Sequence, residues 1–184
     1  MTSSSQTIKL ISSDGKPFCL KQEFLKKVNM LKQMLNDLGF SEEDGNFPAE
    51  GIPVPSVEGE ALERIAEWLT LHEAEEPKNE EQRQMHRFNR NVQKEDVALF
   101  DRCFPRKKLA KVISAAYYLE MPDLTDTLIK YTANHLEGKE AAKMAEWLEI
   151  PLKKDERKKE ADEEGEGESS GKRERAGAEG LGCS

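Results

Sequence analysis

His72, His86 and His135 are the residues of this chain best suited to proton transfer or metal ligation, and Cys19, Cys103 and Cys183 those best suited to thiolate chemistry. Their spacing supports neither use. The histidines fall at a helix end, in a polar stretch and late in another helix, with no HExxH pattern among them. The cysteines form no CxxC pair, so neither a metal-ligand set nor a disulfide framework is encoded, and a reducing compartment fits best. GxGxxG, GxxxxGK[ST] and GxSxG are absent, which removes the phosphate-cradling loops and the nucleophile elbow. The acidic pairs Glu42-Glu43 and Glu75-Glu76 lie in polar segments, where solubilising charge is expected and a desolvated, shifted carboxylate is not. No catalytic residue, metal site or cofactor is assigned. The chain reads as a binding protein and not as an enzyme.

Two features could make contacts. In "ISAAYYLEM" the adjacent Tyr117 and Tyr118 cannot both face a core, because neighbours on a helix point about 100° apart. Counted from Leu109, the residues Leu109, Val112, Ile113, Ala116 and Leu119 share one arc, Tyr117 lies on its flank and Tyr118 points away. Either another part of the same chain covers Tyr118, or it is an interface anchor of the kind tyrosines often supply. The second feature is the apolar face of the last two helices (Leu124, Leu128, Ile129, Ala133, Leu136, Met144, Leu148), which is plain core or partly a seat for another protein. The basic group Arg106, Lys107, Lys108 and Lys111 reads as a solvated face or a contact for an acidic partner.

The elements that must hold these residues follow from hydrophobic period. "TIKLISSDGKPFCL" alternates, turns at Ser13-Asp14-Gly15 and alternates again, which predicts a β-hairpin. Phe24, Val28, Leu31, Leu35 and Leu38 recur at three and four, predicting a helix over 22–38 stopped by Gly39. Ile52 and Val54 alternate with prolines that cannot donate to a ladder, so an edge strand is expected. A helix from about Glu58 to His72 turns Leu62, Ile65, Ala66 and Leu69 inward, with Trp68 at its margin. From Glu73 to Asp96 nearly every residue is polar, and an exposed, mobile insertion is expected. Helices then follow from Pro105, from Pro122 to Gly138 and from about Glu140 to Glu149, and the Gly, Glu and Lys tail after Pro151 is expected to be disordered.

The 184 residues suit one ordinary domain with an appendage. A formal net charge of −8 argues against nucleic acid, whose phosphates would be repelled. The segment "MTSSSQT" lacks the layout of a secretory signal and no long apolar run is present, so neither secretion nor a membrane span is expected.

In order and spacing, "IKLISSDGKPF", "MLNDLGF", "IPVPSVEGEALERIAEWLTLH", "ISAAYYLEM" and "TANHLEGK" resemble the Skp adaptors (S-phase kinase-associated protein one), the linker subunits of SCF ubiquitin ligases, over roughly residues 7–150. Elongin C is similar through the first part but stops two helices earlier. The resemblance implies an α/β BTB/POZ fold, a small sheet with packed helices, with a C-terminal helical extension. It divides the chain into a cullin-binding domain over 1–121 carrying the insertion at about 73–96, an F-box-binding extension over 122–150 and a tail over 151–184. It implies an adaptor that bridges a cullin to F-box receptors, in cytoplasm and nucleus, with Tyr117 and Tyr118 facing the cullin and Leu109, Ile113, Leu124, Leu128, Ile129 and Leu136 forming a seat shared between core and F-box. A self-associating BTB scaffold without a ligase role is the alternative. The sequence departs from the family at Tyr117, where an asparagine is usual, around Glu95 to Phe100, where a Trp-Asp segment is not recognisable, and from Lys153 onward, where a closing helix is replaced by the charged tail.

Overall fold

A computed structural model describes residues 6–40, 47–86 and 88–151. Glu42, Glu43, Cys183 and the tail from residue 152 lie outside these described residues.

The expected hairpin forms from β1 (Thr7–Ser12) and β2 (Pro17–Lys21), antiparallel with Leu10 opposite Phe18. Alternation puts Ile8 and Leu10 of β1 and Leu20 of β2 in the core. The proline-bearing segment is β3 (Ile52–Val54), an edge strand parallel to β1 with Ile52 and Val54 buried and Pro53 exposed. The sheet order is β2-β1-β3.

The helix expected over 22–38 is broken in two. A 3-10 turn over Gln22–Lys27 precedes α1 (Asn29–Asp37), because Val28 leaves helical geometry with φ −123° and ψ 83°. The break has a cause elsewhere in the chain. The first N–H groups of α1, on Asn29 and Met30, lack helical acceptors and donate at 3.3 Å to the carbonyls of Glu120 and Leu119.

The remaining helices are α2 (Gly59–Leu71), α3 (Glu80–Met85), α4 (Lys94–Asp101), α5 (Arg106–Tyr118), α6 (Pro122–Leu136) and α7 (Ala141–Leu148). Helix α2 packs on α5, α5 on α6, and α6 on α7. One core gathers Leu62, Ile65 and Leu69 of α2, Leu99 and Phe100 of α4, and Leu109 and Val112 of α5. Trp68, expected at the margin of α2, is buried. The chain is thus mixed α/β, with a small sheet and helices packed around one core. The described residues up to Glu149 form a compact unit, and the boundary expected at 121/122 falls between α5 and α6 within it.

The insertion differs from its expectation. Most of its described residues are exposed, but α3 forms there, started by a capping box in which Asn79 and Gln82 exchange side-chain and backbone hydrogen bonds at 2.8 and 3.0 Å. Its last residue, Asp96, is buried against His72. No helix among the described residues is long and apolar enough to cross a membrane.

Candidate protein-interaction surface

The two tyrosines exchange the roles expected of them. Tyr117 is the outward ring, 72% exposed, whereas Tyr118 is half-buried and packs on the chain's own core. The reason lies in which small residue faces inward. Ala115 is fully buried and Ile113 only partly, so the buried set of α5 is Leu109, Val112, Ala115, Ala116 and Leu119. At about 100° per residue this set centres some 55° away from Leu109, leaving Tyr118 about 125° and Tyr117 about 135° from the centre.

Tyr117 lines an open depression of about 440 Å³ at the corner between α5 and α6. Ala116 and Met121 form its buried floor, Pro122 and the 60% exposed Ile129 add apolar wall, and Arg83, Glu120 and Asp126 supply charge around it. Met121, Pro122 and Arg83 carried no signal as contact residues in the sequence, because a helix junction and a distant polar strap come together only in the fold.

The six residues of the expected F-box seat separate into two groups. Leu109, Leu124 and Leu128 are fully buried in the chain's own core, so their area is already spent there. Ile113 and Leu136 are half-buried and Ile129 is exposed, and these three have surface left to offer.

Helix α7 is held by an aromatic and cationic stack. The Trp147 ring stacks on His135 at 4.9 Å, the Arg106 guanidinium lies 4.4 Å from the Trp147 centroid, and Glu149 accepts from the Arg106 backbone N–H at 2.8 Å. Beneath them Tyr131 donates to Asp101 at 2.6 Å and accepts from Arg106 at 3.3 Å. Burial, with the Asp101 carboxylate beside it, pushes the Tyr131 hydroxyl up to about 12. The basic group at the start of α5 is solvated, with most of its charge paired within the chain: Arg106 serves α7, Lys108 pairs with Glu60 and Lys111 with Glu58.

His72 is neither solvated nor a simple cap. Its buried ring places Nε2 2.8 Å from Asp96 Oδ1 and Nδ1 2.9 Å from Glu75 Oε2. Burial works against the charged imidazolium, but the two carboxylates outweigh it and raise the group above its ordinary value. Burial likewise works to raise Glu75, yet its bonds to His72 and Gln93 hold the carboxyl below the usual range. Sequence spacing could not have joined His72 to Asp96, which lie 24 residues apart. Among the described residues no group of three or more His, Cys, Asp and Glu is arranged to hold a metal ion.

Comparison with known proteins gives a consistent picture. Residues 6–74 match the family described as "Skp1 family, tetramerisation domain". Suppressor of kinetochore protein 1 of Schizosaccharomyces pombe is 30% identical over 147 residues, covering 78% of this chain and 85% of the relative. A Skp1-related protein of Caenorhabditis elegans is 30% identical over 135 residues, 72% of this chain and 73% of the relative. The E3 ubiquitin ligase complex SCF subunit sconC of Aspergillus clavatus is 30% identical over 138 residues, 73% of this chain and 79% of the relative.

Proposed function

The chain belongs to the Skp1 family, and from that premise we propose that it is an adaptor of an SCF-type cullin-RING ubiquitin ligase. It joins the amino-terminal domain of a cullin to F-box substrate receptors and carries out no reaction of its own. The observation that carries this reading is the pairing of Tyr117 and Ile129, two large apolar side chains left exposed in one depression although the chain buries most of its others. Such a patch on a small domain marks a protein contact, and a tyrosine in it supplies apolar area together with a hydroxyl that stays hydrogen-bonded.

On this reading the cullin meets Tyr117, with Tyr118 behind it fixing the end of α5. The F-box uses the free area of Ile113, Ile129 and Leu136, while Leu109, Leu124 and Leu128 support that face from inside. The protein works in cytoplasm and nucleus. Copurification decides the matter: full-length chain mixed with a cullin amino-terminal domain and an F-box segment is expected to elute as one complex with both. Elution as a homo-oligomer that binds neither would replace the adaptor with a scaffold.

A further inference from the structure

The described part of the insertion over 73–93 lies along α6 as a strap. Lys78 N–H donates to Asp123 Oδ2 at 3.0 Å near the start of α6, and Asn134 Nδ2 donates to the Arg90 carbonyl at 2.9 Å near its end, where Arg90 also pairs with Glu137. Arg83 of the strap lies 3.6 Å from Asp123 and reaches the Tyr117 depression. Exposed ion pairs of this kind each contribute little. The anchor is at the strap's two ends, the exposed Glu75 at its start and the buried Asp96 just beyond its finish, and both meet the single buried imidazole of His72.

We propose that His72 is a protonation-dependent clasp: as the imidazolium it donates to Asp96 while pairing with Glu75 and seats the strap on α6, and on losing a proton it releases one of the two.

The chemistry requires this choice. A neutral imidazole has one N–H and one lone pair, so one of its nitrogens would face a carboxylate with no proton between them. That is a repulsive contact, costly against the buried Asp96, whereas the exposed Glu75 can turn to solvent. The other charged groups around the ring do not replace the missing proton. Lys27, from the 3-10 turn, donates to the His72 carbonyl, and burial pushes its ammonium down. Facing the same cavity of about 100 Å³, Lys130 of α6 is occupied by Asp126 at 2.6 Å and Asp123 by the strap itself. Glu76 and Lys78 lie on the strap and move with it. An exposed hydrogen bond from Gln93 Nε2 to Glu75 Oε1 at 3.1 Å also links the strap's ends, and His72 is the buried group that joins them.

The sign follows from the raised folded-state value. Closure is strongest below the ordinary imidazole value of 6.5 and weakens as pH rises through the raised one. The consequence for partners rests on the adaptor reading: an open strap withdraws Arg83 from the depression that Tyr117 and Ile129 line.

The test uses the isolated full-length chain. Amide hydrogen exchange over 73–93, corrected for the intrinsic rate, is expected to lose about tenfold in protection per pH unit from 6.5 to the raised value and then to level off. Nitrogen NMR of His72 is expected to show both ring nitrogens protonated at pH 6, with its titration tracking the exchange. Glu75→Gln is expected to move that midpoint downward. A strap whose protection is flat from pH 6 to 8.5, or a His72 already neutral at pH 6, overturns the clasp, and neither result depends on any variant folding. Affinity for a cullin amino-terminal domain is expected to follow the same window. If no cullin or F-box segment binds at any pH the adaptor reading falls, while the exchange series still decides the clasp.

Discussion

Tyr117, on the last turn of α5, and Ile129, midway along α6, face the same depression although each belongs to a helix whose other large apolar residues point inward. Because neither side chain supports the core, their replacement separates binding from stability. Tyr117→Lys is expected to abolish cullin binding while changing unfolding free energy by no more than about 0.5 kcal/mol. Pull-down and urea denaturation of the same variant read the two quantities, and a large stability loss would mean the ring is structural.

Tyr118 gives the opposite expectation. It is half-buried against the core, so Tyr118→Ala removes packed ring area and is expected to cost about 1–3 kcal/mol. If Tyr118→Ala unfolds at the same urea concentration as the parent while Tyr117→Ala does not, the assignment of inward and outward rings is wrong.

These two rings also show where the sequence was readable and where it was not. The β1–β2 hairpin was legible because its signal, alternation around Ser13-Asp14-Gly15, is complete within neighbouring residues. Helices α2, α5 and α6 were legible as elements for the same reason. The orientation of α5 was not, because hydrophobicity ranks Ile113 above Ala115, whereas the packed chain buries Ala115 fully and Ile113 only partly. The clasp was hidden differently: His72, Glu75 and Asp96 are each polar, and polar residues read as surface until a tertiary partner removes them from water. The break at Val28 depends on carbonyls of Leu119 and Glu120, about ninety residues on, and no local pattern carries that.

Asp14 joins the hairpin turn to the start of α2. Its Oδ1 accepts from Ser12 Oγ and from the Gly59 N–H, both at 2.7 Å, and Lys16 Nζ lies 2.9 Å from Oδ2. A side chain at Gly59 would meet that carboxylate, since its Cβ would lie 2.9 Å from Oδ1. Lys16 first, then Ser12 and Gly59, hold the carboxyl well below the usual aspartate range. A group lowered in this way stabilises the fold above its ordinary value of 3.8 and ceases to do so as pH falls through the folded one. The difference in melting temperature between the parent and Asp14→Asn should therefore shrink as pH falls below about 4. Parallel curves from pH 7 to pH 2 would mean that this carboxylate does not hold the turn to α2.

Helix α7 makes few buried contacts, with Ala145 its only fully buried residue among those described, so the stack of Arg106, Trp147 and His135 is expected to fix its position. Trp147→Ala should raise hydrogen exchange over 141–148 and lower stability by about 2–3 kcal/mol, below a fully buried tryptophan because the ring is only partly buried. Arg106→Met keeps the apolar stem and loses the cation, so its cost should be near 1 kcal/mol. Equal losses from the two variants would show that charge, and not ring area, holds α7.

Tyr131 lies under that stack with its hydroxyl shared between Asp101 and Arg106, and its position makes an alkaline counterpart to Asp14. The neutral phenol is the form the fold favours, because the ionised one would be buried beside the Asp101 carboxylate. A raised value means that this contribution is whole below the ordinary tyrosine value of 10.0 and fades as pH climbs toward about 12. Tyr131→Phe leaves the Asp101 carboxylate without its short donor and should cost about 1–3 kcal/mol at neutral pH. Above pH 10 the parent should approach the variant, because the bond that distinguishes them is then being lost in the parent. Unfolding midpoints measured at pH 8, 10 and 11 test this, and a gap that widens with pH would place the ionised phenolate, and not the phenol, in the folded chain.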